Sequence, residues 1–561
     1  MSIIEQIRCL NQAELFNSLS TLGNLVITAS EQNPELLSPT EKYHVLVYYA
    51  GALYEEEEYK RSESYYRRAF HLKKSLNRCK GKSTQPGNVS EAGIPSDLDI
   101  KYRLYQCNYK LKNFTEAKAV LESIPAKQRS AKVNLALAKL YQRTGTERSA
   151  ATAFKEVLRQ CPLALEAAQG LLGLGVKGAE VESLTINSLH SNQNLDWLNF
   201  WFRGHAYGAV KEYSKAIATF KNLETASVLK ENINVLCSLA EYYFLSGDMK
   251  NAIAIYSRIH SLEPLFLKGM DIYASILSAN KDIKQLQNLS TDMMSVTERS
   301  PESWIAMGYY CAASGNKATR AVYFAQRAFQ LDQRNVQALL LKGSVLKDIG
   351  KTQDALLHYR EAVRLAPNRF EAHKGTVECL MKAGRIREAI TTATNTRKVL
   401  GNTARCMTLV AAVLAKDRVS KLNHDQAKTM LERALALDST YLEATYILTE
   451  LYMEERNFDA AMALLRKHLF HSSTCRLHQM LGDCLAATNE HIDAIDQYNI
   501  ALSLDNKNKK ARDGLERVEK SRDNLDPGVD DEMEGMDESG EDVDYDASDA
   551  EVSWVDGGEW Y

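Results

Sequence analysis

A period of about 34 residues runs through the chain, and it limits the fold more than any other feature. In residues 336–369 two helix-like apolar patterns flank a turn at 348–351, and Pro367 stops the second. Numbered from its first residue, this segment places Gly343 at position 8, Ala355 at 20, Tyr359 at 24, Ala362 at 27 and Pro367 at 32. Small residues at 8, 20 and 27 let two antiparallel helices approach closely. The aromatic at 24 fills the wedge between them. Residues 233–266 repeat the pattern with Ala240, Tyr243, Gly247, Ala252, Tyr256 and Pro264. Residues 131–164 do so with Ala138, Tyr141, Gly145, Ala150, Phe154 and Pro162, and residues 197–230 with Gly204, Tyr207, Ala216 and Phe220. The position-20 residue can be followed as Ser62, Ala117, Ala150, Leu184, Ala216, Ala252, Leu286, Ala321, Ala355, Ala389, Ala427, Ala461 and Ala494.

This spacing is that of the tetratricopeptide repeat (TPR). Helical hairpins of the HEAT type run to about 40 residues or more and lack these positions. Stacked repeats share one continuous core. The expected fold is therefore all-α, a TPR superhelical solenoid, and not the three or four separate domains that 561 residues would suggest. Residues 1–35 read as a degenerate N-terminal helical pair and 36–75 as the first TPR. Residues 76–98, rich in Gly, Ser, Pro and Lys, read as a disordered insertion. Residues 99–506 hold about twelve further repeats, with Leu184 and Leu286 marking the least regular ones. A charged capping helix is expected over 507–525, ended by Pro527, and an acidic disordered tail over 526–561.

Charge divides the same way. The net charge is −3, but residues 526–561 carry fifteen Asp and Glu and no Lys or Arg, which leaves +12 for residues 1–525. Like charges at that density repel and stay solvated. Ser539 and Ser548 each have an acid three positions on, Asp542 and Glu551, and are candidate phosphorylation sites for an acidophilic kinase. The body's positive charge is spread along helices without interleaved aromatics, so no nucleic-acid partner is expected. No apolar run reaches about 18 residues, so no membrane partner is expected either. The opening MSIIEQIRCL lacks the basic-then-apolar layout of a secretion signal. Ten scattered cysteines without a CxxC point to a reducing compartment and exclude RING-type zinc spacing.

Two motifs invite chemistry. Gly173, Gly175 and Gly178 form a literal GxGxxG, the spacing of a dinucleotide loop, but that loop needs a preceding strand. Helical repeats on both sides favour a tight turn instead. His468, His471, Cys475 and His478 could ligate zinc; solvated histidines at helix ends are the plainer reading. No nucleophile–base or paired-carboxylate spacing is present, and repeats from about residue 40 to 506 leave no room for a catalytic domain. The expectation is no enzyme, no cofactor and no metal. Chaperone-binding TPRs carry a carboxylate clamp, Lys at position 5 and Asn at position 9. Here those positions hold Val47 and Gly51, Tyr102 and Gln106, Leu135 and Lys139, and Trp201 and His205, so the clamp is missing.

The first repeat is crowded with aromatics: Tyr43, Tyr48, Tyr49, Tyr54, Tyr59, Tyr65, Tyr66 and Phe70. Tyr66 holds position 24. Tyr43, Tyr48, Tyr49, Tyr54, Tyr59 and Tyr65 are candidates for a dimer interface, since aromatics are enriched in such surfaces.

Residues outside the repeat positions carry a more specific likeness. They are NPELLSP (33–39), FKEVLRQCPLALEAAQGLLGLGVKGAEV (154–181), NLDWL (194–198), LKGMDIYASILSA (267–279), residues 336–367 and the acidic, Trp-containing tail. Taken in order, they resemble the TPR scaffold subunits of the anaphase-promoting complex, or cyclosome, and among them the subunit 7 family. The resemblance implies a non-catalytic scaffold in a cell-cycle-regulated ubiquitin ligase of cullin–RING type, which marks mitotic regulators for proteasomal degradation. It also implies a V-shaped homodimer through the N-terminal repeats, falling around residues 1–170 here. The partners it implies are the related TPR subunits 3, 6 and 8 and the small subunit 16, and the expected location is nucleus and cytoplasm. The family's coactivator-tail pocket belongs to subunit 3, and no such site is carried over. A TPR adaptor of another complex, such as cargo transport, is the alternative.

Overall fold

Twenty-nine α-helices and one short 3-10 turn make up the described residues of this computed structural model; no strand occurs among them. The structure describes residues 2–80, 96–185, 196–226, 228–315, 318–416 and 421–523. The acidic tail with Ser539 and Ser548 lies outside them, as does most of the expected insertion. The described ends of that expected segment are helical. The helix Tyr59–Lys80 continues five residues past position 75, and Ser96 already caps the next helix, Asp97–Lys110, with Asp99 completing the capping box. The helices form two compact units, Met1–Asn402 and Thr403–Tyr561.

One turn is reused throughout. Five residues before the position-20 anchor the backbone takes the left-handed conformation: Glu57, Lys112, Gly145, Lys211, Gly247, Lys281, Gly350, Gly384, Arg456 and Asn489. The following N–H reaches back to the carbonyl five residues earlier, as in Asp248 to Tyr243 at 3.0 Å and Glu490 to Leu485 at 2.9 Å. This is the Schellman stop, which satisfies the last carbonyls of the first helix and reverses the chain into the second. Glu14 has the same conformation, Leu15 N bonds Leu10 O at 3.0 Å, and Leu19 is fully buried. The pair Ile3–Gln12 and Phe16–Gln32 is thus closed by the same turn as the repeats.

The anchors pack as their size requires. Ser62, Leu286 and the ten alanine anchors from Ala117 to Ala494 are 0% exposed, and Ser62 satisfies its hydroxyl on Ala50 O at 2.7 Å. Leu184 is the exception and is only half-buried. In the short helix Gly178–Thr185 the core positions are Val181 and Thr185, so the anchor assigned to Leu184 moves back one turn. A leucine one turn out of register looks the same in sequence because both positions share a helix face.

The position-24 aromatic is held between two close backbones. A Cβ on Gly343 would lie 2.9 Å from the Tyr359 ring, and one on Gly375 in the next repeat would lie 2.3 Å from it. Phe154 sits likewise against Gly170, Phe220 against Gly204, and Tyr498 against both Gly482 and Gly514. Tyr256 meets Gly269. Pro264 and Pro367 lie in the turns that follow these second helices. In the second unit the helix Lys509–Asp523 contributes Ala511 and Val518 to the core that holds Tyr498.

Candidate functional site

A protein built this way acts through surfaces, so the site is sought where the repeats leave side chains exposed or enclose space. The first such place is the hairpin Pro39–Glu55 and Tyr59–Lys80. Two of its six candidate interface tyrosines are consumed by the chain's own packing. Tyr43 is 3% exposed and accepts from Lys73 Nζ at 3.2 Å; Lys73 also pairs with Asp97 at 3.0 Å. Tyr49 is 1% exposed, lies against Gly23, and accepts from Arg61 Nη2 at 2.9 Å. Burial pushes both phenols above their ordinary pKa. Neither can add area to an interface without unpacking the hairpin. Tyr48, Tyr54, Tyr59 and Tyr65 keep partial exposure. Tyr65 stacks edge-on against Tyr49 at 4.7 Å and carries the Arg68 guanidinium at 5.2 Å, so it is half-fixed from beneath.

Beside Tyr48 opens a cavity of about 530 Å³, lined by Asn11, Val47, Gly51, Tyr102, Arg103 and Gln106 among others. It contains the clamp positions of the first two repeats, Val47 and Gly51, Tyr102 and Gln106. Its lining mixes aromatic rings with charged and amide side chains: Lys132 lies 4.8 Å from the Tyr102 ring, Arg103 5.9 Å from that of Tyr54, and Asp99 lines it too.

A second cavity, about 650 Å³, is lined by Trp197, Trp201, His205, Tyr242, Asn234 and Lys268 with others. His205 sits 4.3 Å from Trp201 ring to ring, and its Nδ1 is hydrogen-bonded to the Tyr242 hydroxyl at 2.9 Å. Burial, with a lesser push from Lys268, lowers its pKa to about 4, so the imidazole is neutral at physiological pH.

The remaining motifs resolve into structure. Gly173, Gly175 and Gly178 span the turn between the helices Leu165–Gly173 and Gly178–Thr185, with no strand before them. Gly175 takes a left-handed φ of 82°, and a Cβ on Gly178 would lie 2.6 Å from Ala206. His468 is buried against Thr445, Nε2 to Oγ1 at 3.0 Å. His478 bonds Ser473 at 2.9 Å and Gln497 at 2.8 Å, Cys475 Sγ accepts from Asn508 at 3.0 Å, and His471 is exposed. Each is engaged separately, and no group of three metal-ligating side chains converges among the described residues.

Helical hairpins with a shared core, cavities on repeat faces and no converging reactive groups among the described residues define a TPR scaffold protein. The tetratricopeptide repeat family matches residues 340–395 and 423–472. Anaphase-promoting complex subunit 7 from Homo sapiens is 39% identical over 566 residues, covering 100% of both chains, and the Mus musculus protein gives the same figures. The chain belongs to the anaphase-promoting complex subunit 7 family. A chain of the crystal structure of the APC/C hetero-tetramer Cut9–Hcn1 superposes with a TM-score of 0.58, covering 91% of this chain and 95% of that one. At 15% identity it supports the fold alone.

Proposed function

We propose that this protein is a non-catalytic TPR scaffold subunit of the anaphase-promoting complex, the ubiquitin ligase that targets mitotic regulators for degradation, and that it works as a homodimer. The observation that carries the scaffold role is the 39% identity to subunit 7 along the entire length. The other TPR subunits 3, 6 and 8 and small subunit 16 are its partners in this reading, and it acts in nucleus and cytoplasm. Affinity purification from dividing cells tests the placement: cullin and RING subunits should co-purify. Recovery of a transport complex instead would favour a cargo adaptor.

Homodimerisation is favoured by the N-terminal repeats. The cavity beside Tyr48, with its mixed aromatic and polar lining, and the partly exposed Tyr54, Tyr59 and Tyr65 offer surface that a second copy can cover. A two-fold pairing closes without forming filaments. An obligate interface would bury on the order of 2,000 Å² or more. Deleting residues 1–170 should give a monomer by light scattering, and deleting residues 507–561 should leave the dimer. A dimer that survives the first deletion refutes this assignment.

A further inference from the structure

The second helix that carries the anchor Ala117 is cut short. Phe114–Glu122 has 9 residues, where Glu147–Gln160, Tyr213–Ala226 and Thr352–Leu365 have 14. Pro125 is the cause. It has no N–H for the Leu121 carbonyl, and Ile124 N takes that carbonyl at 3.1 Å in a tightened turn. The chain then makes the 3-10 turn Ala126–Gln128 in place of a last helical turn. One side chain meets the carbonyls this leaves open. Arg129 donates from Nε to Ile124 O at 2.8 Å and from Nη2 to Glu122 O at 3.1 Å. Gln160 Nε2 bonds the Arg129 carbonyl at 3.1 Å and ties the turn to the next second helix.

The missing turn leaves a cavity of about 490 Å³ between the 3-10 turn and Glu147–Gln160. Lys127, Arg129, Asn134 and Ser149 line it. The two carbonyls pin the Arg129 guanidinium, and no carboxylate among the described residues pairs with it or with the exposed Lys127. Asn134 is 4% exposed, and its Nδ2 has no hydrogen-bond partner. A buried amide donor is seldom left unmet in a fold that has no use for it. The carboxylates nearby are already engaged: Glu156, in the lining, pairs with Arg159 at 2.9 Å, and Glu122 accepts from the Tyr141 hydroxyl at 2.9 Å. Residues 118–159 carry a net charge of +6. Lys132, Lys139 and Lys155 pair with Asp99, Glu166 and Glu180 outside that stretch, which still leaves an excess of three positive charges.

We propose that this notch binds a phosphate monoester. Lys127 Nζ, Arg129 Nη1, Asn134 Nδ2 and Ser149 Oγ supply the donors, and Ala126 and Ala153 flank the carbon that carries the phosphate. The count of donors selects the ligand. A phosphate monoester offers three terminal oxygens and nearly two negative charges, and a guanidinium fixed in advance suits it. A carboxylate offers two oxygens and one charge, which would leave part of the donor set and of the positive charge unmet. The source is a phosphorylated serine or threonine side chain or a free phosphate ester, since both present the same group.

The test uses the full-length chain and fluorescence anisotropy of the labelled peptide fluorescein-Gly-Ala-phosphoserine-Ala-Gly. Controls carry serine or glutamate in place of phosphoserine. The phosphopeptide should bind saturably with a Kd on the order of 0.1 mM, and both controls at least about 5-fold more weakly. Lys127→Gln and Asn134→Ala should each weaken the phosphopeptide about 5-fold, while Lys250→Gln, a charge lost from a distant exposed site, should leave it unchanged. Lys127 is exposed, so its variant decides the question if Asn134→Ala does not fold. Inorganic phosphate should compete. Competition as tight as the peptide assigns the site to a free phosphate ester, and much weaker competition assigns it to a phosphorylated side chain; both support the site. No saturable binding, equal binding of the serine or glutamate peptide, or a Lys127→Gln affinity equal to that of Lys250→Gln would overturn it.

Discussion

Adding one methyl group at two glycines should move stability in opposite directions. Gly375 and Gly51 both lie inside first helices of repeats, Phe370–Lys382 and Pro39–Glu55. Replacing a helical glycine with alanine gains about 1 kcal/mol of backbone propensity at either site. The surroundings differ. At Gly51 the nearest atom to a Cβ is the Tyr66 hydroxyl at 3.5 Å, an ordinary contact, so Gly51→Ala should stabilise its repeat by roughly 0.5–1 kcal/mol. At Gly375 the Cβ would lie 2.3, 2.5 and 2.6 Å from three carbons of the Tyr359 ring. That ring cannot retreat freely, because its other face is already against Gly343. Overpacking of this kind costs about 1–3 kcal/mol or more and outweighs the propensity gain, so Gly375→Ala should lose about 1–2 kcal/mol net. Stacked repeats need not unfold in one step, so the reading should be local, by native-state hydrogen exchange of the two helices. Tyr359→Leu should relieve part of the Gly375→Ala cost in a double-mutant cycle. Unchanged protection at Gly375→Ala, or additive costs with Tyr359→Leu, would refute the wedge argument.

Two buried titratable groups should give pH effects of opposite sign. The pKa of His205 is lowered to about 4 in the fold, so the unfolded chain binds the extra proton and stability is lost as pH falls from 6.5 towards 4. Exchange protection of Asp196–Ala209 should drop over that range and the drop should vanish in His205→Gln; a persisting slope assigns it elsewhere. The pKa of Asp271 is raised to about 6, so the fold binds the proton first and stability contributed there rises as pH falls from 6 towards 3.8. Asp271→Asn should therefore stabilise Met270–Ala279 at pH 7, by on the order of 1–3 kcal/mol, and not at pH 4. Equal effects at both pH values would exclude a charge origin.

The hairpins were legible because their packing depends on residue size at fixed spacing. Twelve of thirteen anchors chosen by smallness or by period are fully buried, Ser62 and Leu286 included. Leu184 failed because a leucine there competes with Val181 one turn away, and period alone cannot choose between them. The aromatic surplus was legible, but its division was not. Tyr43 and Tyr49 are taken up by Lys73, Arg61 and Gly23, partners from other turns and helices, while Tyr48 and Tyr65 remain partly open. The cavity of about 220 Å³ lined by Phe244, Ile276, Tyr309, Gln337 and Glu371 escaped notice altogether. Its members come from five different repeats, and no local spacing relates them.

The left-handed turns show what a sequence hides when one position does two tasks. Glycine suits such a turn, and Gly145, Gly247, Gly350 and Gly384 fill it in four repeats. A side chain there costs roughly 1–2 kcal/mol, which makes lysine at 112 and 211 look like decay of the pattern. Both lysines instead reach across the first unit. Lys112 Nζ donates to Gln330 O at 3.0 Å and Lys211 Nζ to Val399 O at 2.6 Å, over 218 and 188 residues of sequence. Arg334 does the same to Arg143 O over 191 residues. All three acceptors lie in the last turn of a helix, Ala318–Leu331, Ile386–Leu400 and Ala131–Arg143, where carbonyls are unpaired and the helix dipole is negative. A cation at such a carbonyl contributes a comparable 0.3–1 kcal/mol plus a charge-assisted hydrogen bond, which offsets the strained turn. A simple solenoid couples only neighbouring repeats. Here repeats five or six apart are also tied, so the first unit requires a fixed number of repeats between each lysine and its carbonyl. Glu57, Lys281, Arg456 and Asn489 adopt the same conformation, and nothing in the structure explains their identity.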